Sequence, residues 1–168
     1  MRKYKLLLLS VFVLLLFSFE TVNAQTVSPA EDNSAQLSLI EEKRKLINEH
    51  IEDNKKLEAI VEKKSKKVED QLVKVPESTV VPPEVLENQI SGRMETIMSH
   101  LMQIGEQEDI MWKSIKAGNR SIKAGNYSLG IKQLDKTIGA LVRKHEHLVE
   151  FNSDLDELLA FFSTIQQK

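Results

Sequence analysis

From Leu37 onward the chain repeats apolar side chains at alternating intervals of three and four residues. The first stripe runs Leu37, Ile40, Arg44, Ile47, Ile51, Asn54, Glu58, Val61, Ser65, Val68, Leu72 and Val75, with eight of these 12 positions apolar. The second runs Ile90, Met94, Ile97, Leu101, Ile104, Glu108, Met111 and Ile115, with seven of eight apolar. The third runs Tyr127, Ile131, Leu134, Ile138, Leu141, His145, Leu148, Asn152, Leu155, Leu159 and Phe162, with nine of 11 apolar. This is the period of a helix with one buried face, not the alternation of a strand. Each segment is about 40 residues, long enough for a helix of roughly 60 Å. Such stripes must be buried to hold a helix in water.

The prolines punctuate this pattern. Pro29, Pro76, Pro82 and Pro83 all lie outside the stripes' interiors. Pro lacks an N–H and clashes within a helix, so "PESTVVPP" (76–83) reads as a connector. Ser28-Pro29-Ala30-Glu31 resembles a capping box, and Asn33 or Ser34 offers a second start. Glu84 and Glu87 suit the positive end of the second helix. Three segments of matched length and two short connections predict an all-α fold, an elongated antiparallel three-helix bundle. The alternative is a long helical hairpin that dimerises as a coiled coil.

The second connection is marked by a repeat. "SIKAGNRSIKAGN" (114–126) writes Ser-Ile-Lys-Ala-Gly-Asn twice, seven residues apart. Gly after a last-turn Lys is a helix-stop signal. The second stripe continues in register through Gly118, Ile122 and Gly125, and its phase then fails against Tyr127 and Ile131. The first copy is therefore expected to be a helical turn whose Gly faces a neighbour, and the second the true stop; the alternative is a stop at Gly118 followed by a long loop. Ala117, Gly118, Gly125, Tyr127 and Gly130 also fall at spacings similar to half of a tetratricopeptide repeat. That family recurs about every 34 residues. No second copy stands at that period, so the resemblance stops at a tight helix–helix turn. Both Asn119-Arg120-Ser121 and Asn126-Tyr127-Ser128 match a glycosylation sequon, which matters only in a eukaryotic secretory pathway.

Ahead of the stripes stands a different composition. Arg2, Lys3 and Lys5 precede the 14-residue apolar run Leu6–Phe19, and Val22 and Ala24 supply small residues before Gln25. This is the layout of a secretory signal peptide, and the run is short of the about 20 residues a membrane span needs. The expected organisation is a leader over residues 1–24, a flexible segment over 25–33 and the helical bundle over 34–168, in a secreted or periplasmic protein. Cleavage after Ala24 removes three basic residues and one acid, and 23 Lys+Arg against 25 Asp+Glu becomes 20 against 24. This acidic balance argues against a nucleic-acid partner. With no Cys there is no disulfide and no thiol nucleophile.

Five polar residues interrupt the stripes. Counted from a turn near Thr79, Asn54, Glu108 and His145 fall 25–29 residues down, and Glu58 and Asn152 fall 20–21 down. Asn54, Glu58, Glu108, His145 and Asn152 are thus expected to form a buried polar layer. Buried polar groups are costly unless paired, and their best-attested use is to fix register. A Glu108–His145 pair would respond to pH. One His in this layer is too few for a metal, and no cofactor is expected. The two histidines of "HEH", His145 and His147, stand two apart and on different helix faces, while His50 and His100 lie off the stripes and read as solvated. Neither a metalloprotease His-Glu-x-x-His nor a nucleophile elbow nor a phosphate loop is present. The chain does not read as an enzyme.

Two features suggest contacts with an unknown protein partner. Met94, Met98 and Met102 form a ridge at four-residue spacing, and Met suits adaptable binding surfaces. Leu158 and Phe161 lie off the third stripe, so the C-terminal end is apolar on more than one face. Lys63, Lys64, Lys66 and Lys67 form a basic cluster that could meet anionic lipid, but flanking acids weaken that reading. The expectation is a non-enzymatic helical scaffold, adaptor or holding chaperone, with a homodimer among its assemblies. The alternative is a carrier of lipid or another amphiphile between its helices.

Overall fold

The structure, a computed structural model, describes residues 33–78 and 82–166. The leader, most of the flexible segment and Thr79 lie outside the described residues. Three α-helices account for the described chain: α1 (Ser34–Ser78), α2 (Pro83–Lys123) and α3 (Tyr127–Gln166). They pack against one another, and there is no strand among the described residues. The fold is the all-α three-helix bundle that the stripes predict.

The helix ends follow local chemistry. α1 continues through Pro76 to Ser78, past the Val75 boundary that the prolines suggested. Pro76 sits in the last turn, where its missing N–H costs one backbone bond and leaves the remaining turns intact. Pro83 occupies the first position of α2, where an N–H has no helical partner in any case. The Pro82 carbonyl accepts from the N–H groups of Val85 and Leu86, both at 3.1 Å.

The repeated hexamer does two different jobs. At the second copy, Asn126 N–H donates to Ser121 O at 2.9 Å and Gly125 N–H to Ile122 O at 3.0 Å. With Gly125 at φ 76°, this is a Schellman stop. Asn126 then caps α3, because its Oδ1 accepts from Leu129 N–H at 3.2 Å. The first copy stays helical. A Cβ at Gly118 would sit 3.2 Å from Gln133 Cβ and 3.5 Å from Gly130 O, so this Gly does face a neighbouring helix. Asn119 accepts from Arg44 Nη2 of α1 at 3.1 Å.

Close approach at Gly130 gives a stability test. A Cβ there would lie 2.5 Å from Ile122 Cγ1, inside a buried contact. Gly130→Ala is expected to cost about 1–3 kcal/mol through overpacking, less the ~1 kcal/mol that Ala gains in a helix. Gly92→Ala meets nothing within 4 Å and should gain about 0.5–1 kcal/mol. Urea midpoints moving in opposite directions for the two variants would match this account. A Gly130→Ala midpoint rising as far as that of Gly92→Ala would refute the close contact.

The described residues form two compact units, each containing a stretch of all three helices. One unit comprises residues 56–78, 82–104 and 146–166. Its core gathers Val61, Val68, Ile97, Leu148, Phe151 and Leu155, among others. Its α2–α3 seam is antiparallel: Arg93 faces Glu157 and His100 faces Glu150, each partner moving by seven residues. Lys64 of α1 pairs with Asp156 at 2.5 Å.

The other unit comprises residues 33–55 and 105–145. Its core includes Ile40, Ile47, Met111, Leu134, Ala140 and Leu141. Here Arg143 Nε donates to Gln107 Oε1 at 3.0 Å, and the Ser114 and Thr137 hydroxyls meet at 2.9 Å. These pairs again descend one helix as they climb the other. Lys43 of α1 pairs with Asp135 at 2.5 Å.

The buried face of α3 differs from the predicted stripe. Tyr127, Leu134, Leu141, Leu148, Leu155 and Phe162 are buried as expected. The accompanying column is Gly130, Thr137, Lys144, Phe151, Leu158 and Ile165, while Ile131, Ile138, His145, Asn152 and Leu159 are only half-buried. The face is rotated by one position because the second column follows +3/+4 spacing from Tyr127 rather than +4/+3.

Candidate functional site

The rotation of α3 decides which polar groups meet. In the unit of residues 33–55 and 105–145, Asn54 is buried and bridges two groups of α3. Its Nδ2 donates to Leu141 O at 3.0 Å, and its Oδ1 lies 2.9 Å from His145 Nδ1. An amide that accepts from a ring N–H and donates to a carbonyl is well satisfied. Glu108 does not pair with His145. Its Oε1 receives Lys144 Nζ at 2.5 Å instead. Lys144 is 1% exposed and stands among the largest fully buried side chains. The sequence stripe missed it because a Lys among apolar neighbours reads as a surface residue. The signal lay in its seven-residue spacing from Phe151, Leu158 and Ile165.

Glu58 and Asn152 belong to the other unit and are half-buried. Asn152 Oδ1 is shielded from solvent without a hydrogen bond.

The contact residues expected from sequence are placed differently from one another. Met94 and Leu158 are core residues, and they correct the expectation that both face a partner. Leu158 is buried because it belongs to the true second column of α3. Met98 is half-buried and Met102 is 66% exposed, so only the last Met of the ridge is open. Phe161 is half-buried, with the Arg93 guanidinium 5.4 Å above its ring.

A cluster of titratable groups forms on the α2–α3 seam of the unit that contains His100. His147, Glu150 and Asp154 stand at spacings of three and four on α3, hence on one face. His100 reaches them from α2. Its Nδ1 lies 3.2 Å from Glu150 Oε2 and its Nε2 lies 3.3 Å from Asp154 Oδ2. His147 Nδ1 lies 3.3 Å from the same Glu150 Oε2. The two imidazole centroids are 6.1 Å apart. The His100 side chain is 18% exposed, which corrects the expectation that it is solvated. His50 is half-buried as well. His145 and His147 face different partners, as their two-residue spacing implies.

The electrostatics of this cluster are unbalanced. Burial pushes the Asp154 carboxyl above its usual range; His100 opposes that rise, and Glu157 and Glu150 add to it. His100 Nδ1 and Asp154 Oδ2 are both shielded from water, and neither makes a hydrogen bond. Chemically, the arrangement offers two imidazoles and a carboxylate oxygen converging on one point. It presents no activated nucleophile.

Compared with protein-family models, curated proteins and solved structures, the chain matches none.

Proposed function

We propose that this is an exported, non-enzymatic helical protein that acts by holding another protein chain. The observation that carries the reading is on the outer face of α1. Leu39 and Leu46, one heptad apart, are both exposed, although the helix already buries Ile40, Ile47, Val61, Val68 and Leu72. They line a shallow groove of about 240 Å³ together with Glu42, Lys43, Lys45 and Glu49. Two leucines one heptad apart within a charged rim suit the apolar face of an amphipathic partner helix. Charges of both signs around the rim fit pairing with a helix of mixed charge. Among the described residues no helix is long and apolar enough to cross a membrane.

The test is a native mass spectrum of the chain taken from its own host, beside a Leu39→Gln/Leu46→Gln variant. Both positions are exposed, so folding stability should change by less than about 1 kcal/mol. The reading expects a mature chain beginning at Gln25 that carries a protein-sized companion, and the variant should lose that companion. A bare chain in both samples would contradict the reading. A companion of lipid size would replace it with an amphiphile carrier.

A further inference from the structure

We propose that His100, His147 and Glu150 bind one divalent transition-metal ion of the zinc type, with Asp154 supporting His100 from behind. The inference is independent of the partner contact proposed for α1. Ligand chemistry comes first: two imidazoles with a carboxylate suit zinc and its neighbours, whereas calcium and magnesium prefer sites made only of oxygen.

Spacing is the second argument. Atoms bound to zinc at about 2.0–2.1 Å in a tetrahedral shell stand roughly 3.3 Å from one another. The His100 Nδ1 and His147 Nδ1 distances to Glu150 Oε2 are 3.2 and 3.3 Å. One ligand atom from each of His100, His147 and Glu150 lies within 4.8 Å of the other two. The His147 Nδ1 contact with Glu150 Oε2 also has the geometry of a hydrogen bond, whereas His100 Nδ1 approaches the same oxygen without making one.

The surroundings are the third argument. A His that ligates through one nitrogen commonly has a carboxylate against the other, which fixes its tautomer and orientation. Asp154 Oδ2 lies near that place, 3.3 Å from His100 Nε2, although it makes no hydrogen bond there. The site gathers the carboxylates of Glu150 and Asp154, with Glu157 close enough to act on Asp154. A cation offsets the charges of Glu150 and Asp154, since Glu157 already pairs with Arg93. Glu150 is 55% exposed, so the ion has a path from solvent. With three ligands, a fourth position stays open to water, so binding is exchangeable rather than that of a closed structural site. Since the ligands come from two helices, a bound ion ties α2 to α3.

The experiment is calorimetric titration of zinc chloride into the chelator-treated full-length chain, with the melting temperature read alongside. The proposal expects one zinc per chain and a melting temperature that rises with zinc. His147→Gln and His100→Gln should each weaken binding tenfold or more. Asp154→Asn should weaken it about 10–100-fold, and His50→Gln should leave it unchanged. Absence of zinc uptake would overturn the proposal, as would uptake that survives both His147→Gln and His100→Gln. His147 is partly exposed, so His147→Gln decides the matter alone if His100→Gln fails to fold, with circular dichroism confirming the variant's helicity.

Discussion

Glu108→Ala is expected to cost the fold about 3 kcal/mol, while Lys144→Met costs less than about 1 kcal/mol or stabilises it. The asymmetry follows from where the two charges sit. Lys144 is 1% exposed, whereas its partner Glu108 keeps 29% of its side chain in solvent. Removing the carboxylate leaves an ammonium in the core without its nearest counter-charge, and that desolvation cannot be recovered. Removing the ammonium in favour of an apolar side chain of similar length lets the carboxylate turn toward water. The loss for Glu108→Ala sits at the low end of the range for a broken buried pair because that side chain is partly exposed. Urea denaturation of both variants reads the difference. Equal losses would show that the pair acts as an ordinary surface ion pair, worth at most about 1 kcal/mol.

Phe151→Ala is expected to cost about 3–5 kcal/mol, the largest single effect among the core positions considered. Phe151 is completely buried beside Leu148, Leu155 and Leu158. Its truncation removes a ring from a close-packed interior and leaves a cavity that helix backbones cannot easily close. The adjacent Asn152 provides the contrast. It is half-buried, and its Oδ1 makes no hydrogen bond that truncation could remove, so Asn152→Ala should cost under about 1 kcal/mol. The sequence stripe assigned the inward position to Asn152. A larger loss at Asn152 than at Phe151 would restore that phase and undo the side-chain pairing described for α3.

The three-helix bundle was legible because the stripes of α1 and α2 are mostly apolar and the prolines fall between them. The turn at Gly125 was legible for a different reason. Only the second copy of Ser-Ile-Lys-Ala-Gly-Asn breaks the heptad phase, and the structure puts the left-handed glycine there and keeps Gly118 in helix. The phase of α3 was misread because counting apolar residues favours a flank. Ile131, Ile138 and Leu159 outscore Gly130, Thr137 and Lys144, although the latter three are buried. A small residue allows close approach, a hydroxyl bonds back to its own helix, and a Lys can be buried when a carboxylate meets it. Hydropathy registers none of these.

The His100 cluster needed the register of one helix on another. His147, Glu150 and Asp154 were readable as one face of α3, but nothing in α2 alone points His100 at them. The clue was distributed. Arg93 with Glu157 and His100 with Glu150 follow one offset, in which residue numbers on the two helices sum to the same value. That offset emerges once the turn and the buried face of α3 are both known. The outer face of α1 escaped notice because Leu39 and Leu46 are scattered among charges and belong to no stripe.

The most direct test of the account is amine labelling of the native protein, with each modified lysine located by mass spectrometry. The central claim is that α3 turns the Lys144 column into the core. Lys144 should resist acylation until the chain unfolds, while Lys45 and Lys113, at 79% and 76% exposure, react at once. Labelling of Lys144 at the rate of those two would mean that α3 presents a different face. The pairings built on this phase, Glu108 with Lys144 and His100 with Glu150 and Asp154, would then fall with it.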